Sequence, residues 1–256
     1  MKRLEVHQFP CLSDNYGFLV HDAATGATAC IDTPEVAPIE RALEAKGWKL
    51  THILNTHHHA DHAGGNLELK AHWRCTIVGP RADAERIPGI DVQVGDGDLY
   101  KLGGASARVF DVPGHTRGHI AYYFAEDGVA FVGDTMFALG CGRLFEGTPA
   151  QMWSSLSKLK ALPDDTLVYC AHEYTQSNAR FALTVEPDNR ALVERAKKID
   201  QARARGEWTV PTTIGLEKAT NPFLRPDSRD LQKTLDLVGR DPVDVFAETR
   251  RRKDRF

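Results

Sequence analysis

The sequence predicts a layered α/β domain followed by a smaller, all-helical region. Three observations carry this reading. Up to about residue 172, short β-rich runs bounded by Gly, Pro and Asp alternate with helical stretches, the pattern of sheets covered by helices. Beyond that point the β-rich runs stop, and apolar residues recur three or four apart, the helical period. No apolar run is long enough to span a bilayer, and no repeat or low-complexity segment stands out.

Taken in order, the candidate strands are residues 17–20, 29–32, 52–55, 75–78, 107–112, 120–124, 129–132 and 166–170, rich in β-branched and aromatic side chains. Between them, residues 36–46 and 152–161 read as helices, and Ala63-Gly64-Gly65-Asn66 opens another. In the last third, Asp188 offers a cap for a helix through 191–200. Pro211-Thr212-Thr213 with Glu217 reads as a further helix start. A final amphipathic helix is predicted over 242–249, running into the basic tail Arg250-Arg251-Arg252-Lys253. The expected domains are residues 1–172 and 173–256. The second is too small for a large core of its own, so it is expected to pack on the first and to line its site.

Composition narrows the function. With 42% hydrophobic and 26% charged residues, the chain is ordinary for a globular protein. A net charge of -3 gives no general attraction for nucleic acid or anionic membrane, so neither is an expected partner. Cys11, Cys30, Cys75, Cys141 and Cys170 are odd in number and scattered, which argues against a disulfide framework and for the reducing cytoplasm. The start, Met1 to His7, is basic, but no apolar signal core follows.

The chemistry concentrates in His57-His58-His59-Ala60-Asp61-His62. Within it, His57, His59, Asp61 and His62 are four possible metal ligands in six residues. Imidazole with carboxylate suits zinc and related first-row ions, and so many donors in so short a span hint at two ions. The run lies between a strand candidate and a helix start, on a loop that a scaffold can hold rigidly. Downstream, His115, Asp134 and His172 each follow a strand candidate. Loops after strands gather at one edge of such a domain, so all seven residues are expected to converge. Seven ligands divide into three per ion plus one shared carboxylate, whose two oxygens can each bind. Read singly, His115 and Asp134 fit turns and His172 fits a core histidine; only their joint order with the loop lifts them. His58 reads as a non-ligand pointing away. His119 reads equally as support for His115 or as packing. Cys141 and Cys170 read as small buried hydrophobes.

These residues resemble the metallo-β-lactamase superfamily, whose hallmark is the His-x-His-x-Asp-His loop. Within it the chain is similar to the glyoxalase II, or hydroxyacylglutathione hydrolase, family. The closer match is carried by Ser13-Asp14-Asn15-Tyr16, the full ligand set, Gly140 to Thr148, His172-Glu173-Tyr174-Thr175, Asn221-Pro222-Phe223 and Arg250 to Asp254. The resemblance implies an αββα sandwich with a C-terminal helical domain. It assigns His57, His59 and His115 to one ion and Asp61, His62 and His172 to the other, with Asp134 bridging. It implies cleavage of S-D-lactoylglutathione to glutathione and D-lactate. Two positions depart from the family pattern: Arg143 stands where Lys is common, and Phe145 where Tyr is common. The first keeps the charge and the second loses a hydroxyl.

On this reading two divalent ions per chain are expected, zinc first, with iron or manganese acceptable to the same donors. A hydroxide bridging them attacks the thioester, Asp61 orients it, and no Ser or Cys nucleophile is needed. Glutathione carries carboxylates, so Arg143, Arg250 and Lys253 are its expected contacts, with Tyr174 for the peptide part. A monomer is expected, acting on a small glutathione thioester. The alternative is an oxygenase like the glutathione persulfide dioxygenases, which need one iron on two His and one carboxylate.

Overall fold

The structure, a computed structural model, describes residues 3–256; Met1 and Lys2 of the basic start lie outside the described residues. The chain divides into two compact units. One runs to Asp111 and resumes over Arg117–Gly133; the other comprises Val112–Thr116 and Asp134–Phe256.

The first unit opens with β1 (Leu4–Cys11), β2 (Asn15–Asp22) and β3 (Ala27–Ile31). After these come α1 (Val36–Lys46), β4 (His52–Leu54), α2 (Ala60–Ala63), α3 (Asn66–Trp73), β5 (Thr76–Pro80) and β6 (Val92–Val94). The six strands form one sheet in chain order. β1, β2 and β3 pair antiparallel, and β3 to β6 pair parallel, Cys30 opposite Ile53 and Ile53 opposite Ile77. β2 is buried along nearly its whole length, which is why it reads as a continuous apolar run rather than an alternating one.

α1 buries Pro38, Ile39, Ala42 and Leu43, a stripe at helical spacing. It stops where Gly47 takes φ 66°, so that the Gly47 and Trp48 amides reach the last carbonyls, Glu44 O and Leu43 O. Its stripe packs with Leu69 of α3 on Leu19, Cys30, Ile53 and Ile77 of the sheet. Full burial of one such side chain is worth about 1.5–3 kcal/mol. The sheet's other face meets a meander of β7 (Leu99–Leu102), β8 (Ala105–Asp111), β9 (Ile120–Phe124) and β10 (Val129–Gly133), each antiparallel to the next. Phe18 packs on Phe131 at 5.7 Å, and Tyr122 Oη donates to Asn55 O at 3.0 Å.

The second unit opens with the hairpin β11 (Met136–Phe137) and β12 (Gly140–Cys141), followed by α4 (Pro149–Lys160) and β13 (Leu167–Cys170). Then come α5 (Thr175–Val185), α6 (Arg190–Ala204), β14 (Thr212–Thr213), α7 (Ile214–Thr220), α8 (Arg229–Thr234) and α9 (Pro242–Asp254). β14 pairs antiparallel with β13, Leu167 opposite Thr213. α5 and α6 close through Ala179, Ala182 and Ala196 around Leu139, Leu192 and Ile199. Small residues let the two helix backbones approach, and Phe181, Phe223 and Phe246 fill the space towards α9.

Several boundaries differ from the sequence reading. α6 is capped by Asn189, whose side chain accepts from Leu192 N, and not by Asp188. α9 continues through the tail to Asp254, because Arg251 and Arg252 both pair with Glu248 one turn back. β1, β6, β7, β11, β12, α5 and α8 were not anticipated; α2 puts Asp61 and His62 on a single helical turn rather than a loop, and β14 sets a short strand at Thr212–Thr213 in the region expected to be all-helical. All five cysteines are free and buried. Burial pushes the Cys11 and Cys170 thiols up to about 12 and Cys141 to about 11, and raises Cys30 and Cys75 too. Among the described residues no helix is long and apolar enough to cross a membrane.

Candidate metal centre

In the first unit, β4 delivers the chain into the histidine loop. Asn55 Nδ2 donates to His62 O at 2.9 Å, and the His62 and Ala63 amides both bond His59 O, so the loop closes on itself. His57 and His62 are fully buried. His57 Nδ1 lies 3.0 Å from Thr56 Oγ1, and its Nε2 faces His59 Nδ1 at 3.1 Å. His62 Nε2 lies 3.4 Å from Asp61 Oδ2. Asn15 Nδ2, from the Ser13–Tyr16 motif, donates to that same Oδ2 at 3.1 Å and fixes the Asp61 carboxylate.

Asp32, expected only as the end of a strand, anchors the histidine loop, a contact that sequence reasoning missed. It is buried, and its backbone is left-handed at φ 57°, a conformation that costs a non-glycine residue about 1 kcal/mol or more. Its carboxylate accepts from Thr56 N at 2.7 Å, Thr56 Oγ1 at 2.8 Å and His62 Nδ1 at 2.9 Å. Asp32, His57 and His62 also form a tight donor group by distance alone. Both its oxygens are engaged by Thr56 and His62, so Asp32 fixes the His62 ring with Nδ1 turned towards the carboxylate. Asp32→Asn is expected to lower metal affinity by about 10- to 100-fold, the usual effect of losing a carboxylate behind a ligating imidazole. Chelator competition measures it, and wild-type affinity would remove Asp32 from the site.

His58 turns aside, as expected. Arg86 Nη1 donates to its Nε2 at 3.1 Å, and its Nδ1 lies 3.5 Å from the buried Asp83 carboxylate. His119 is buried and stacks on His57 at 4.6 Å, so it packs behind that imidazole.

In the second unit, His115, Asp134 and His172 come together, all buried. His115 Nε2 lies 3.4 Å from Asp134 Oδ2, and His172 Nε2 lies 3.4 Å from Asp134 Oδ1. The two oxygens of one carboxylate thus face two different imidazoles. His115 Nδ1 donates to Arg143 O at 2.9 Å, and His172 stacks on Tyr174 at 4.7 Å with Phe137 at its edge. Gly142 allows this crowding: a Cβ there would lie 2.0 Å from Asp134 O and 3.1 Å from His115 Nδ1.

The donor set fits divalent metal. Two ligand atoms, each 2.0–2.2 Å from one tetrahedral ion, stand roughly 3.3–3.5 Å apart. The pairs His62–Asp61, His115–Asp134 and His172–Asp134 sit at 3.4 Å, inside that span, while His57–His59 at 3.1 Å is somewhat closer. His62 and His115 each give their other nitrogen to a carboxylate or carbonyl, which sets the tautomer that ligation needs.

Two family models match the chain: the metallo-beta-lactamase superfamily over residues 25–172, and the hydroxyacylglutathione hydrolase C-terminus over residues 173–256. A hydroxyacylglutathione hydrolase of Maricaulis maris is 58% identical over 256 residues, covering 100% of both chains. One of Methylococcus capsulatus is 57% identical over 253 residues, 99% of each. The chain belongs to the hydroxyacylglutathione hydrolase family. Among solved structures, ETHE1 from Myxococcus xanthus is 28% identical with a TM-score of 0.67, covering 96% of this chain and 98% of its own. The family fold is therefore the αββα sandwich with a helical C-terminal region that the sequence implied.

Of the substrate contacts expected from the sequence of this hydroxyacylglutathione hydrolase family member, Arg143 is largely exposed, its Nε 3.5 Å from Asp254. Lys253 Nζ lies 3.4 Å from Ser177 Oγ and over the rings of Phe181 and Phe256. Arg250 is buried; it donates to Cys141 O at 2.9 Å and pairs with Asp254 at 2.8 Å. Tyr174 is partly exposed and Phe145 is 60% exposed, its ring edge on His115 at 5.2 Å.

Proposed function

We propose that the chain hydrolyses S-D-lactoylglutathione, and related 2-hydroxyacyl thioesters of glutathione, to glutathione and the free acid. The observation that carries this is likeness along the whole chain to relatives named hydroxyacylglutathione hydrolase, 58% identical in the first case. In the same proposal His57, His59 and His115 hold one divalent ion, Asp61, His62 and His172 a second, and Asp134 serves both. Support for that division comes from the donor spacings inside each unit and from the split of the Asp134 oxygens. Zinc suits the donors best, and iron or manganese would be accepted.

Ions held there would supply Lewis acidity for the thioester carbonyl and a water acidified to a pKa of roughly 7. The chain's own residues do the rest. Asp61, steadied by Asn15, accepts a hydrogen bond from the attacking water and aims its lone pair. The leaving thiolate is the base of an acid with a pKa of about 8.5, so no strong general acid is required. Arg143, Arg250 and Lys253 hold the glutathione carboxylates and Tyr174 the peptide; Arg250 has a fixed direction from its bonds to Cys141 and Asp254.

Lys253 adds a pH dependence. Burial, with the neighbouring Arg250 cation, pushes its ammonium down to about 8. Its charge is present below that pH and lost above it. KM is therefore expected to rise above about pH 8 while kcat stays flat. Lys253→Met is expected to raise KM about tenfold at neutral pH and to abolish the rise, as loss of uniform binding does.

Metal analysis of the purified protein beside thiol release from S-D-lactoylglutathione tests the whole reading. Two ions per chain with rapid release are expected. Metal-loaded protein inert to that ester, or oxygen uptake with glutathione persulfide, would overturn it.

A further inference from the structure

The hairpin joining β11 to β12 turns through Ala138 and Leu139, and Leu139 is left-handed at φ 59°. A branched apolar side chain does not choose that conformation; the surroundings must impose it, at about 1 kcal/mol or more. The residues that impose it lie on α5 and α7 and at the end of α7. Glu217 of α7 is fully buried, and its Oε2 accepts the Leu139 amide at 2.8 Å. Asn221 Nδ2 donates to Gly140 O at 3.0 Å, to Phe137 O at 3.3 Å and to Glu217 Oε2 at 2.9 Å. Asn178 of α5 donates to Ala138 O at 3.1 Å. Glu217 is itself aimed by Arg195 of α6, buried and 2.5 Å from Oε1, while Thr212 Oγ1 donates to the same oxygen at 2.7 Å.

Both stems of this hairpin lead into the donor cluster. Asp134 and Thr135 precede β11; Gly142 and Arg143 follow β12. Gly142 N donates to Thr135 O at 3.3 Å, holding the stems together, and Arg143 O accepts from His115 Nδ1. Phe137, on the hairpin, edges His172. A turn fixed at its tip therefore fixes the Asp134 carboxylate and the imidazole faces beside it.

We propose that Glu217, aimed by Arg195, is a positioning residue for the metal donors: it holds Leu139 left-handed and so sets the direction of Asp134 and of the carbonyl that orients His115. The inference rests on the metal reading above. Glu217 touches neither substrate nor ligand; it acts through four residues of backbone. Carboxylate chemistry is needed because one group must accept from a guanidinium on one oxygen and from two amide donors on the other. A Gln cannot do both, since one of its ends is a donor.

Cobalt-substituted protein provides the test, read by its d–d absorption spectrum and by metal affinity under chelator competition. In Glu217→Gln the spectrum is expected to shift and affinity to fall about 10- to 100-fold, the range for outer partners of metal ligands. KM should hold while kcat falls. Arg195→Met/Glu217→Leu removes the ion pair together with the acceptor, a replacement that buried pairs often tolerate, so it covers a Gln variant that fails to fold. It should show the same spectral and affinity changes while melting close to the unsubstituted protein. A wild-type cobalt spectrum and affinity in either folded variant would overturn the proposal, whatever the melting temperature. Asp134→Ala is the control that separates the two readings. If it leaves the spectrum unchanged, the metal assignment fails. If it abolishes the spectrum while the Glu217 variants match wild type, the positioning role alone fails.

Discussion

Replacing Asp134 by alanine is expected to strip metal from the protein and to lower kcat by about a thousandfold. The expectation follows from its two oxygens, each 3.4 Å from a different imidazole nitrogen. Removing it deprives both proposed ions of a ligand and leaves His115 and His172 facing across a gap. The melting temperature should fall no further than that of the unsubstituted protein stripped of metal by chelator, because what is lost is chiefly metal binding. Asp134→Asn keeps one acceptor oxygen and should fall between the two. Elemental analysis and thiol release measure both quantities. Full metal content with near-normal turnover in the alanine variant would withdraw Asp134 from the centre.

The largest stability effect is expected from Arg195→Met. Arg195 and Glu217 are both buried, 2.5 Å apart, and Arg195 also donates to Thr220 Oγ1 at 2.6 Å. Taking away the cation leaves an uncompensated carboxylate in the interior, which costs about 3–5 kcal/mol. At roughly 2–4 °C per kcal/mol for a chain of this size, the melting temperature should drop by about 10 °C. The paired replacement Arg195→Met/Glu217→Leu should recover most of that. If the single and paired variants melted alike, burial of the lone charge would not be the cause.

How far these sites could be read in advance depended on what each signal was. The histidine loop was legible because imidazoles seldom crowd a solvated loop, and residues 36–46 because an apolar stripe ends at a glycine; α1 has those same bounds. β1 escaped because Pro10 and the polar Glu5, His7 and Gln8 break its pattern, though the strand pairs along its whole length with β2. α5 escaped because Thr175 and Asn178 occupy buried positions where an apolar residue was sought. Asp32 and Glu217 escaped for a different reason. Each is a single acid whose defining bond spans the chain, 24 residues from Asp32 to Thr56 and 78 from Glu217 to Leu139, and no local spacing announces such a bond. The helical course of the tail escaped because four cations in a row carry no apolar period, yet Arg250 pairs with Asp254, and Arg251 and Arg252 with Glu248, on the same helix.

The five sequestered sulfurs have a practical corollary. A dye that yellows on exchange with accessible mercaptans will find none on the native chain, since all five cysteines are buried. Colour appearing with the thioester therefore counts glutathione molecule by molecule, without a protein blank to subtract. Colour creeping up in its absence would report the opening of the fold itself, so one cuvette serves as both a turnover assay and a denaturation alarm.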